Sequence, residues 1–169
     1  MPRKKPKALT AKDIQRAVFK RLKPYDKLNF LEQFAMFMGK AQLFEIALKQ
    51  LLARQYDYDF DALERWTLGR TARELKECGL RKDFVTLLES VVELRNFIAH
   101  ELLASNVFVT ALTGRTARFV TRPLEHGIYE LEQIMFLHDW CDKHNAWAMQ
   151  DAQQHIQPDL GDAARPSAG

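Results

Sequence analysis

Residues 26–54 read DKLNFLEQFAMFMGKAQLFEIALKQLLAR, and their periodicity decides the fold. Phe30, Phe34, Phe37, Ala41, Phe44, Leu48 and Leu51 recur at alternating steps of four and three, which is the repeat of one helix face. Leu31, Ala35 and Met38 form a second ridge beside it, so the apolar stripe is wide enough to face a core and a partner chain. No proline interrupts the run, and Gly39 costs only about 1 kcal/mol against alanine. Four phenylalanines in line at helical spacing point to packing rather than to a ligand box.

The flanking segments extend the pattern. Residues 83–104 (DFVTLLESVVELRNFIAHELLA) place Phe84, Leu87, Leu88, Val91, Leu94, Ile98 and Leu102 on one side of a second long helix. A short helix over Thr67–Cys78 precedes it and is stopped by Gly79. Pro123 opens a last helix running to about His155, with a bend at Gly127. Upstream, residues 9–23 form a basic amphipathic helix with Thr10 as N-cap, closed by Pro24. Residues 106–121 change period: β-branched side chains around Thr113-Gly114 predict a β-hairpin. Residues 1–8 and the tail after Pro158 read as disordered. The expected fold is all-α in the main. It is an antiparallel bundle with long helices over 26–54, 82–104 and 124–153, and one short β-hairpin. Its organisation is a basic extension (1–25), a helical domain (26–155) and a tail (156–169).

At 169 residues, with 47% hydrophobic and 28% charged side chains, the chain suits one globular domain without a disulfide framework. Cys78 and Cys141 are too few for a disulfide scaffold or a four-cysteine zinc site. No apolar run is long enough to span a membrane, and no apolar stretch follows the basic N-terminus as in a secretory signal. A cytoplasmic protein with no membrane contact is expected. The net charge of +3 hides an asymmetry, +8 over residues 1–27 and −5 over the rest. A basic arm on an acidic body fits a polyanion, most simply nucleic acid, and equally fits a solubilising tail. Lys20, Arg21 and Lys23 on that arm, with Arg115, Arg118 and Arg122 on the expected hairpin, are the candidate nucleic-acid contacts.

Several chemistries are excluded by spacing. The chain has no Gly-rich phosphate loop, no His-Glu-x-x-His and no Cys-x-x-Cys. Asp57, Asp59 and Asp61 imitate the start of a calcium loop, but Ala62 replaces its glycine and Leu68 its closing glutamate. His138, Cys141 and His144 spread over about 120° of a helix, too far for one zinc ion. The pentapeptide Gly-Arg-Thr-Ala-Arg occurs at 69–73 and again at 114–118, in flanks that predict different structure, and is a coincidence. No metal or cofactor is expected.

The stretch Leu94-Arg95-Asn96-Phe97-Ile98-Ala99-His100-Glu101 carries the most chemistry. Arg95 and His100 lie about 140° apart on a straight helix, with Asn96 and the small Ala99 on the arc between them. Asn96 stands four residues before His100 and can hydrogen-bond its ring. Glu89, Glu93, Asn96 and His100 make a polar stripe on an otherwise apolar helix. A guanidinium, an amide and an imidazole converging there suit binding and cleavage of a phosphodiester. The same residues also fit a plain helix end, with a histidine favoured by the dipole and an arginine paired to an acid one turn away.

Arg-Asn-x-x-x-His within LLESVVELRNFIAHEL resembles the HEPN superfamily of small helical domains, and GKAQLFEIALKQLL is similar to the first core helix of that family. The likeness covers residues 28–103, and a last helix over 123–150 completes the bundle. The resemblance implies a metal-independent endoribonuclease with Arg95, Asn96 and His100 as catalytic residues. It further implies a homodimer whose motif helices face one another, acting as a toxin against which an antitoxin protein is paired, or in anti-phage defence. Members paired with a nucleotidyltransferase antitoxin carry His-x-Tyr; here that position is Leu102. Other members are non-catalytic modules that bind RNA or protein, and this is the alternative reading of the chain.

Overall fold

The computed structural model describes residues 9–114 and 118–148, without the side chains of Phe108, Ala111, Arg118 and Phe119. Helix α1 (Ala11–Leu22) runs into a 3-10 turn (Lys23–Lys27). Then come α2 (Phe30–Tyr56), the single turn α3 (Phe60–Leu63), α4 (Leu68–Glu77) and α5 (Lys82–Phe97). A π-helical turn (Ile98–Leu102) joins α5 to α6 (Leu103–Thr113), and α7 spans Arg118–His144. The protein is mainly α-helical, as its periodicity predicts.

Local chemistry sets the helix starts. Thr10 and Asp13 form a capping box at α1, and Asn29 with Glu32 forms another at α2, each satisfying backbone N–H groups that have no partner inside the helix. Thr67 caps α4 by accepting from the Arg70 N–H. Gly79, at φ 81°, lets the chain turn out of α4 in the left-handed region.

Helix α7 is the hub. It packs against α1, α2, α5 and the π turn, and its Leu124, Ile128, Leu131 and Ile134 are buried. The Phe-rich stripe of α2 divides by depth. Phe37, Ala41, Phe44, Leu48 and Leu51 enter the core, whereas Leu31 and Ala35 of the second ridge face solvent. The basic N-terminal helix joins the same core through Leu9, Ile14 and Val18.

The β-hairpin is corrected. Among the described residues no strand occurs: residues 106–113 continue the long helix as α6, and α7 begins at Arg118. The side chain of Thr113 hydrogen-bonds back to the Val109 carbonyl at 2.8 Å, and Thr110 bonds Asn106 at 3.4 Å, so these hydroxyls are satisfied within a helix. Gly114 is left-handed (φ 68°) and its N–H donates to the Thr110 carbonyl, which makes it a helix C-cap. Thr-Gly signals positive φ in a hairpin turn and at a helix end alike. Pro123 is likewise inside α7 instead of at its start. That helix ends at His144, followed by left-handed Asn145. The expectations of disorder over 1–8 and in the tail lie outside the described residues.

Candidate functional site

Arg95 and Asn96 close the α-helical part of α5, and His100 sits in the middle of the π turn. A π turn closes its hydrogen bonds over one more residue than an α turn, so each residue advances by a smaller angle. The wider turn therefore narrows the 140° a straight helix would leave between Arg95 and His100. Such turns are frequent at functional sites.

The close approach of α7 accompanies this distortion. Gly127 is buried where α7 crosses the π turn. A Cβ there would overlap Ile98 Cδ1 and stand 3.3 Å from Phe37 Cε2. Gly127 is thus required by a close approach, which is a different reason from the bend the sequence suggested. Ile98, fully buried, wedges into the gap. His100, two residues on, faces out.

The polar groups are arranged differently from the expectation. His100 is exposed, and no described residue makes a hydrogen bond, ion pair or ring contact with it. Asn96 accepts from Arg95 Nη1 at 3.3 Å instead of holding the His100 ring. The guanidinium next to it in sequence takes the Asn96 amide oxygen, which is the physical reason. Arg95 is half-buried and its guanidinium meets an amide, with no carboxylate partner among the described residues. Of the polar stripe, Glu89 is committed to Lys76 at 2.7 Å, while Glu93 is exposed. Phe97 is 39% exposed, whereas Ile98 and Leu102 belong to the core.

The candidate nucleic-acid contacts separate. Lys20, Lys23 and Arg122 are exposed. Arg21 is engaged: its Nη2 is 2.6 Å from Asp139 Oδ2, and its Nη1 is 4.0 Å from buried Glu132. Arg115 lies outside the described residues, and Arg118 is described by its backbone alone. Glu132 also accepts from Tyr25 Oη at 2.9 Å and pairs with Lys40. Burial, then the Glu132 charge, push the Tyr25 hydroxyl well above the usual phenol range. This buried polar cluster ties the basic N-terminal region to α7 and α2, and periodicity alone does not reveal it.

The His138, Cys141 and His144 set is part of the packing. His138 is wedged edge-on between Phe44 and Trp147, and its Nε2 is buried without a partner among the described residues. Burial lowers its pKa, against the nearby Asp139 and Asp142. Burial also pushes the Cys141 thiol up to about 11, against the pull of Arg81. His144 Nδ1 bonds the Trp140 carbonyl of its own helix at 2.7 Å. Among the described residues no group of His, Cys, Asp and Glu is assembled to hold a metal ion.

Fold and geometry together define a class: a mainly helical bundle that presents arginine, asparagine and histidine along one helix, with the histidine on a π turn. Comparison with known proteins found no family model, no curated protein and no solved structure that matches this chain. Among the described residues no helix is long and apolar enough to cross a membrane.

Proposed function

We propose that the protein is a metal-independent endoribonuclease of the HEPN type, acting in the cytoplasm as a toxin held by an antitoxin or in anti-phage defence. The observation that carries the reading is the exposed His100 on a π turn, one turn beyond an arginine whose guanidinium meets Asn96; among the described residues neither has a carboxylate partner. A histidine kept only for packing, like His138, is buried; His100 faces solvent, where a substrate can reach it.

In this mechanism the nucleophile comes from the substrate. His100 takes the proton of the ribose 2′-hydroxyl, whose oxygen attacks the adjacent phosphorus. The bond from phosphorus to the 5′-oxygen breaks, and that oxygen leaves with a proton returned by an imidazolium. The products are a 2′,3′-cyclic phosphate end and a 5′-hydroxyl end. Imidazole is the side chain best suited to act as both acid and base near neutrality. Arg95 holds the phosphate and offsets charge developing on its oxygens, and Asn96, bonded to Arg95, fixes the direction of that guanidinium. One histidine per chain makes a twofold assembly attractive, because two copies supply both a proton acceptor and a proton donor.

The test compares the wild-type protein with Arg95→Ala and His100→Ala on RNA and on DNA in EDTA. Expected are cleavage of RNA alone, and losses of at least about 100-fold in each variant. Equal cutting by both variants, or abolition by EDTA, rejects the mechanism. Retained RNA binding without any cutting by the wild type identifies the non-catalytic module.

A further inference from the structure

Helix α4 carries a group of cations whose position relative to the candidate site follows from two contacts. Lys76 Nζ pairs with Glu89 at 2.7 Å, and Gly69, nearer the start of α4, lies against Val92, whose Cγ1 stands 3.5 Å from where a Gly69 Cβ would be. Moving back along α4 therefore means moving forward along α5, so the two helices run antiparallel. The beginning of α4, with Trp66 just before it, is thus level with the turn of α5 that bears Arg95 and Asn96. Those two residues stand three and four positions beyond Val92, about one turn or 5.4 Å along the axis.

The side chains at this end form a platform. Arg65, Arg70 and Arg73 are exposed, and no carboxylate among the described residues pairs with them. The Arg70 guanidinium lies over the Trp66 ring, its Cζ 4.0 Å from the centroid. Tyr58 braces the same indole edge-on, with centroids 6.1 Å apart. A guanidinium seated over an indole leaves N–H groups for a phosphate oxygen and lies beside an aromatic face on which a base can stack. Asp57, Asp59, Asp61 and Glu64 precede the platform and repel a phosphate backbone, so a bound strand is directed over α4 toward α5.

We infer that Arg65, Trp66, Arg70 and Arg73 form a binding surface for single-stranded RNA that delivers the strand to Arg95 and His100. The delivery rests on the nuclease reading; the binding does not. Single-stranded nucleic acid fits because its bases are free to stack while its phosphates meet the arginines. Three exposed arginines with no carboxylate partner among the described residues favour a polyanion over a protein partner.

The test measures binding of a labelled single-stranded oligoribonucleotide, about 20 nucleotides long and so longer than a typical single-strand site, to full-length His100→Ala protein, which spares the strand. Adding Arg70→Ala and Arg73→Ala is expected to weaken binding at least about tenfold and to flatten the dependence of log K on log salt by about 1.4, the worth of two single-strand phosphate contacts. Arg70→Lys keeps the charge and loses the planar guanidinium over Trp66; it should keep the salt slope and bind a few-fold more weakly. Trp66→Ala should weaken binding by about five- to 100-fold, and because that ring is half-buried, circular dichroism of each variant is recorded alongside. Absence of RNA binding by the parent, or unchanged affinity and slope in the folded arginine variants, overturns the proposal. If the wild type cuts no RNA but these substitutions abolish binding, the nuclease reading fails and the surface stands. If the wild type cuts, and the arginine substitutions change neither binding in the His100→Ala protein nor cutting when made in the wild type, the surface fails and the nuclease reading stands.

Discussion

Gly127 and Ile98 hold the turn on which His100 rides, although neither is polar. A methyl group at Gly127 meets Ile98 and Phe37 inside contact distance, so Gly127→Ala overpacks a sealed site and should destabilise by about 1–3 kcal/mol. Shortening the opposing side chain with Ile98→Val removes the Cδ1 that collides. The double variant should therefore be more stable in urea unfolding than Gly127→Ala alone. If the second change only adds its own loss, the two residues are not in contact as described. His138 is a separate case, set by burial. Its pKa is lowered in the folded state, so below about pH 6.5 the unfolded chain binds the proton more readily. Stability from this residue is complete above that pH and is lost as pH falls toward the folded-state value. His138→Phe keeps a ring between Phe44 and Trp147 and removes the orphaned Nε2. Comparing urea midpoints at pH 7.5 and 5.5, the variant should lose less than the wild type; an equal loss refutes the assignment.

At the scale of elements, α2 and α5 are legible from spacing because burial on one side imposes a 3-4 repeat that nothing else in the sequence contradicts. The segment after His100 is harder. Val107, Val109 and Thr110 carry strand propensity, but α6 continues a helix already paid for by α5, and context overrides a preference worth under about 1 kcal/mol per residue. Val107 is 60% exposed, which lets propensity be measured with little packing. Val107→Ala should stabilise the protein by about 0.5 kcal/mol, since alanine is the better helix former. A loss of stability on that change would return the segment to the sheet side. The π turn has no such signature. Arg95, Asn96 and His100 are readable as a motif, but their relative placement depends on Gly127, about thirty residues on, approaching through a gap that no local pattern announces. The Arg70–Trp66 stack is readable as an i, i+4 pair once α4 is known to start between them. Its neighbourhood to Arg95 is a tertiary fact.

For the whole molecule, the charge asymmetry along the chain is folded into the bundle. Arg21 and Lys40 converge on Glu132, with Tyr25 donating to the same carboxylate, so part of the basic N-terminal region neutralises a buried acid instead of reaching outward. Removing one partner of such a group costs more than the group contributes, which makes it a device for fixing how α1 sits on α7. Lys20 and Lys23 remain exposed at the surface.

Assembly is the level at which the nuclease proposal is most exposed to test. One chain offers one His100, whereas transfer of a proton from the 2′-hydroxyl and to the leaving oxygen is served best by two imidazoles. A twofold axis beside the motif helix supplies both without further sequence. Ile98 of the motif helix is not free for such a contact, because it is consumed by its own core against Gly127. Phe97, at 39% exposure, remains available on the same continuous helix. A dimer seated there should fall apart with Phe97→Glu, which places a charge in an apolar contact, while circular dichroism stays helical. Light scattering reads the change directly. Mixing is the stronger arm. Arg95→Ala and His100→Ala subunits, combined under conditions of exchange, form heterodimers in which one half-site keeps its arginine and the other its histidine. If the site is shared, the mixture should cut RNA at a rate different from either parent alone. If the protein is a monomer at concentrations where it cuts RNA, a single His100 must serve both proton transfers in turn, and the composite site is wrong.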